Sequence, residues 1–211
     1  MSNHTKRGTA RKFAAAMAVA LVASVLALAT PAGAKQSVST TRVSGTDRYL
    51  TSTALSSAAT VAGANSTHFV LVNGTSYADA LSAAALAGAK QGSIILLPAD
   101  GTISASATAR MGAATNVTIV GGFAALPATV ETTMKTLRPT ATITRISGGD
   151  RYSTAANVAS NIVNTAGGSL AAVNGKKSVF LASGTSFADA VIAAPGAYAG
   201  PNNSATTAVV P

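Results

Sequence analysis

Two stretches of the 211-residue chain hold residue types that could do chemistry: GTSYADAL (Gly74 to Leu81) and GTSFADAV (Gly184 to Val191). Each sets a serine three residues before an aspartate and beside an aromatic ring. A serine nucleophile at Ser76 or Ser186 needs a base, and an α/β elbow needs G-x-S-x-G. Neither stretch has the second glycine, and His68, the one histidine beyond the N-terminal residues, has no counterpart in the second stretch. There is no cysteine, which excludes thiol catalysis and cysteine-held metals. The six acids are dispersed, without the paired spacing of a glycosidase dyad or the ligand density of a cation cage. Phosphate-cradling glycine motifs are absent as well. These residues predict no catalytic group, no cofactor and no metal.

Structural chemistry fits the pattern better. Ser76–Asp79 and Ser186–Asp189 are both S-x-x-D after an apolar run and a glycine. The serine is expected to cap the first N–H groups of a helix, with the aspartate reaching back and complementing the dipole. The arginines resist so simple an account. Arg42 and Arg145 end strand candidates, while Arg48 and Arg151 stand in a helix's first turn, where a cation opposes the dipole. Two readings follow. The neighbouring Asp47 and Asp150, or Asp79 and Asp189, pair with the arginines and lock loops together, the preferred reading for Arg48. Alternatively Arg42 and Arg48, with helix N-termini, receive an anionic group.

The elements that position these residues come from a tandem repeat. TRVSGTDRYLTSTALSSAATVA (Thr41 to Ala62) returns as TRISGGDRYSTAANVASNIVNT (Thr144 to Thr165). VLVNGTSYADALSAAALAG (Val70 to Gly88) returns as VFLASGTSFADAVIAAPGAYAG (Val179 to Gly200), and SIILLP (Ser93 to Pro98) returns as TAVVP (Thr207 to Pro211). Strands are expected at Val38–Val43, Phe69–Asn73, Ile94–Leu97 and Val117–Val120, short apolar runs of the kind buried on both faces. Alanine-rich helical segments lie between them, at the spacing of βαβ crossovers. The fold class is α/β: tandem open, mostly parallel βαβ units, the second incomplete. The first spans residues 35–140 and the second 141–211, which is expected to be cut short. Loops of a parallel sheet gather at the carboxyl edge of its strands, so any ligand site is expected there.

The N-terminus reads as a secretory leader over residues 1–34. Lys6, Arg7, Arg11 and Lys12 precede an apolar run from Phe13 to Ala29, then Ala32-Gly33-Ala34. No second apolar run of that length follows, so no stable membrane span is expected after cleavage. The whole chain carries a formal +9; without those four cations, eleven bases face six acids, a net +5. The charge is scattered and aromatics make up only 4%, unlike the basic, aromatic-studded stripe of a nucleic-acid binder. A diffuse positive field on an exported protein suits an anionic extracellular polymer.

RVSGTDRYLTSTALS, VLVNGTSYADALSAAALAG, SIILLP and VTIVGGFAALPATV, in that order, resemble the cell wall-binding repeat 2 family of exported Gram-positive proteins, which includes S-layer components. The resemblance covers residues 41–138 and continues from 144 to about 211. It implies small α/β repeats, usually three, that hold a protein non-covalently on an anionic secondary cell-wall polymer. By that pattern Arg48, Arg151 and the segment Ile94, Ile95, Leu96, Leu97 are candidates for polymer contact, beside Arg42 and Arg145. The alternatives are a wall-active hydrolase (amidase or protease) using Ser76, and a self-assembling surface-layer component completed by other copies of itself.

Overall fold

Every second residue of a strand faces the same side, so a parallel strand covered on both faces must be apolar throughout. The segment His68–Asn73 meets this condition, with Phe69, Val70, Leu71 and Val72 all fully buried. In the computed structural model the described residues are 40–61, 63–164, 172–173, 176–177, 180–198 and 209–210. The chain divides into two compact units, Met1–Thr41 and Arg42–Pro211, and every element below belongs to the second. The leader expected over 1–34 lies outside the described residues.

The order is α1 (Arg48–Val61), β1 (His68–Asn73), α2 (Tyr77–Ala89), β2 (Ser93–Leu97), α3 (Ala105–Arg110), β3 (Asn116–Val120) and α4 (Thr129–Leu137). The second copy begins with β4 (Thr142–Ile146) and α5 (Arg151–Asn164). It continues with β5 (Ala172–Val173), β6 (Lys176–Lys177), β7 (Phe180–Leu181), α6 (Phe187–Tyr198) and β8 (Val209–Val210). The main sheet has the order β2-β1-β3-β4 and all its pairs are parallel. Short β7 and β8 pair in parallel, the counterpart of β1 with β2. The α/β reading with parallel strands therefore holds.

One strand differs from expectation. Residues 40–43 of the expected Val38–Val43 strand are irregular, and 38–39 lie outside the described residues. The equivalent segment of the second copy, Thr142–Ile146, is a strand, and it pairs with β3 of the first copy. A strand needs a neighbour to satisfy its N–H and C=O groups. The second copy's segment finds the first copy's sheet before it, whereas the described part of the first copy's segment has no strand to join.

Two cores flank the sheet. On one face Val70, Val72, Val120 and Ile146 pack with Ala83 and Leu86 of α2, Val158 and Ile162 of α5, and Ala190 of α6. On the other, Phe69, Leu71, Ile95, Leu97, Val117 and Ile119 pack with Met111, Leu126, Val130 and Met134. Helix α1 shields the outer edge of the sheet: Ser52 Oγ accepts from Leu96 N at 3.0 Å, occupying a donor of the edge strand. The first core already joins elements of both copies, so their mutual placement follows from buried apolar area.

Candidate functional site

Where β1 ends, Asn73 builds the turn. Its Oδ1 accepts from both Thr75 N and Thr75 Oγ1 at 2.7 Å, and its Nδ2 donates to Ala125 O at 2.8 Å. This is an Asx turn anchored to a distant loop. Arg48 Nη1 donates to Gly74 O at 2.9 Å. A Cβ on Gly74 would lie 2.8 Å from Cε1 of Tyr49, so glycine is needed for the tyrosine ring to close on the turn. The DRY and NGTS segments of the first copy therefore interlock.

The second copy repeats the device with other residues. Ser183 Oγ accepts from Thr185 N and Ser186 N at 3.3 and 3.2 Å, Arg151 Nη1 donates to Gly184 O at 2.6 Å, and Tyr152 closes on Gly184. Arg48 and Arg151 thus hydrogen-bond to glycine carbonyls rather than to the neighbouring Asp47 and Asp150, while the Arg151 charge still acts on Asp79. Asp47 caps α1 by accepting from Leu50 N at 2.7 Å. Asp150 accepts from Ser153 N at 2.7 Å while Ser153 Oγ accepts from Asp150 N at 3.0 Å, a reciprocal cap of α5.

Two capping expectations need correction. Ser76 occupies the N-cap position of α2, but its hydroxyl makes no capping bond. Asp79 does not reach back either; its Oδ2 lies 2.7 Å from where a Cβ on Gly121 would stand, turned toward the loop after β3. In the second copy Ser183, not Ser186, holds the turn, and among the described residues neither Ser186 Oγ nor Asp189 makes a cap bond. The N-x-T spacing at Asn73 was the available signal, since an asparagine two residues before a threonine is the geometry of an Asx turn.

These turns border a cleft of about 240 Å³ at the carboxyl edge of the sheet. Ser76 and Asp79 line it from the first copy's turn, Gly122 and Ala125 from the loop after β3, and Gly148, Asp150 and Arg151 from the second copy. The two octapeptides meet beside it: the Tyr77 and Phe187 rings are 5.7 Å apart and tilted by 57°, and Arg151 lies 5.9 Å over the Tyr77 ring. Burial raises the Asp79 pKa, and the Arg151 charge partly opposes that. Hydrogen bonds from the Ser153 hydroxyl and N–H lower that of Asp150.

The other expected contact residues fall elsewhere. Arg145 is 9% exposed; its Nε donates to Glu131 Oε1 at 2.6 Å and its Nη1 to Gly121 O at 2.8 Å, with Phe123 stacked at 4.6 Å. It fastens the loop that walls the cleft, with little of its side chain left at the surface. Arg42 is exposed and makes no hydrogen bond or ion pair among the described residues. Ile95 and Leu97 are 0% and 1% exposed in the core, so surface contact from this segment is restricted to the half-buried Ile94 and Leu96. These two border an apolar groove with Leu55 and Ala80.

Among the described residues the one histidine is not placed as a base for Ser76. His68 is at the amino end of β1 and Ser76 lies beyond its carboxyl end, roughly 15–20 Å apart along a six-residue strand. Among the described residues no three His, Cys, Asp or Glu side chains cluster as a metal site, and no helix is long and apolar enough to cross a membrane.

The model of the cell wall binding domain 2 family matches residues 42–131 and 145–205. The N-acetylmuramoyl-L-alanine amidase LytC of Bacillus subtilis (strain 168) is 34% identical over 182 residues, covering 80% of this chain and 33% of the relative. Cwp6 from Clostridium difficile superposes with a TM-score of 0.63 at 22% identity, over 86% of this chain and 27% of that one. Cwp8 from the same organism gives 0.61 at 26% identity, over 80% and 26%. The chain therefore spans about a third or less of each of these proteins.

Proposed function

Because the chain belongs to the cell wall binding domain 2 family, we propose that it is an exported, non-catalytic module that holds non-covalently to an anionic polymer of the wall. Membership makes it a cell-wall-binding module of the cell surface; export, polymer charge and contact residues are the proposal. The observation that carries the site is the carboxyl-edge cleft. There the first turn of α2 lacks a side-chain cap, leaving backbone donors and the Ser76 hydroxyl for hydroxyl or anionic groups of a glycan. Arg151 borders the same cleft, and Arg42 adds an exposed charge. Each such contact is weak, and repeats in an array add avidity.

The amidase activity named for LytC belongs to that protein, and the match spans only 33% of it. Self-association is a second reading, supported by exposed apolar side chains: Leu55 is 51% and Ile192 79% exposed. Sedimentation of the purified chain with isolated walls tests the main reading, before and after the anionic polymers are stripped. Binding should fall with added salt, because screening shortens the reach of exposed charges, and should be lost on stripped walls. Equal retention on stripped walls, or retention indifferent to salt, would refute it.

A further inference from the structure

The sheet face that packs on α2 and α5 changes character along its length. At its carboxyl end Val72, Val120 and Ile146 are neighbours in register, all in the core. Four residues earlier on the same face stand His68, Asn116 and Thr142, and between the two rows Val70, Thr118 and Thr144. The helices leave this end of the face open: Asn116, Thr142 and Thr144 are exposed, Thr118 is buried and His68 half-buried, and in these two rows only Val70 is apolar. With Lys90 after α2 and Asn161 of α5, the polar residues line a pocket of about 180 Å³. No carboxylate lines it.

One buried group in the pocket lacks a partner. Thr144 Oγ1 donates to Thr118 Oγ1 at 3.4 Å, but His68 Nε2 is buried with no hydrogen-bond partner, an arrangement that costs desolvation without return. The Lys90 ammonium makes no hydrogen bond or ion pair among the described residues, and the carbonyls of Leu86, Ala87 and Gly88 at the end of α2 accept from the N–H groups of Lys90, Gly92 and Gln91. This is a Schellman turn, made with Gln91 at φ 53°.

We propose that this pocket, at the amino edge of the sheet and away from the cleft, binds a small oxyanion of the phosphate class. Lys90 and His68 supply the charge and His68 Nε2 the buried donor, with the Thr118 hydroxyl beside them. The proposal does not depend on the wall-polymer reading. Burial and the Lys90 charge lower the His68 pKa, and burial lowers that of Lys90. Among the described residues lining the pocket these are the titratable groups; β3, β4 and α5 contribute neutral amides and hydroxyls. A bound anion reverses the penalty on His68, so its pKa rises on binding and affinity increases as the pH falls through it.

The test follows the His68 ring protons of the full chain by NMR, at constant ionic strength, with inorganic phosphate against chloride. His68→Gln identifies the signal. The expected result is a saturable shift with phosphate alone and a His68 pKa raised by about one unit. Lys90→Gln should weaken binding about tenfold and Lys90→Arg should retain it. Should Lys90→Gln not fold, Thr118→Val replaces it, with the same expected loss. A non-saturable shift, the same shift with chloride, or undiminished binding in the folded variant overturns the proposal. Competition by a glycerol phosphodiester would identify a polymer-borne phosphate as the source. Competition by inorganic phosphate alone would identify the free ion. Either supports the pocket, and binding of neither overturns it.

Discussion

The same sequence positions have different fates in the two copies. Arg42 and Arg145 occupy equivalent places in TRVSG and TRISG, yet Arg42 stands in solvent while Arg145 is almost buried and grips Glu131 and Gly121. Helices α1 and α5 are also equivalent. Leu55 of α1 is 51% exposed, whereas its counterpart Val158 is 1% exposed against the first copy. What differs is the neighbour. The second copy follows a finished sheet with a loop and a helix to close on, and Arg145, Val158 and Ile162 meet partners there. Among the described residues no sheet precedes the first copy, so the same motif leaves its arginine and its apolar helix face uncovered. The repeat is therefore a unit of sequence, while its packing extends across two successive copies.

Substitutions at matched positions probe that difference. The largest gap is expected between Arg145→Ala and Arg42→Ala. The first leaves Glu131 and the Gly121 carbonyl without their partner and should cost about 3 kcal/mol; the second should stay within about 0.5 kcal/mol. Urea unfolding measures both, and equal losses would mean that Arg42 is held as firmly as Arg145. A smaller gap separates Val158→Ala, about 2 kcal/mol from a buried site, from Leu55→Ala, under about 1 kcal/mol. If Leu55→Ala proves as costly as Val158→Ala, the α1 face is covered in solution, and analytical ultracentrifugation would then reveal an associated species. The smallest contrast lies in the turns. Asn73→Ala removes three hydrogen bonds at a buried residue and should cost about 1–3 kcal/mol. Ser183→Ala removes longer bonds at an exposed one and should cost under about 1 kcal/mol.

Much of the fold was legible because it is written in local pattern. The apolar runs at Phe69–Asn73, Ile94–Leu97 and Val117–Val120 coincide with β1, β2 and β3 to within a residue or so, since strands buried on both faces tolerate little else. The carboxyl-edge location of the cleft follows from parallel connection alone. The partners of the arginines were not legible. Arg48 and Arg151 bind carbonyl oxygens of Gly74 and Gly184, and every residue offers a carbonyl, so composition cannot single one out. The acids beside them drew attention as charges, but each is spent on the first turn of its own helix. The amino-edge pocket was equally hidden, because Lys90, Thr118, Thr144 and Asn161 converge only when three parallel strands come into register.

Sequence alone determined the repeat, the βαβ rhythm, the absence of cysteine and the family resemblance, because these depend on residue identity and near-neighbour spacing. Tertiary structure decided which copy of a motif becomes a strand. Thr142–Ile146 pairs with β3, whereas residues 40–43 stay irregular. It also decided which arginine is buried and which side of SIILL meets solvent. Those outcomes turn on what lies alongside a segment rather than within it, for hydrogen bonding and apolar burial are settled by neighbours in space.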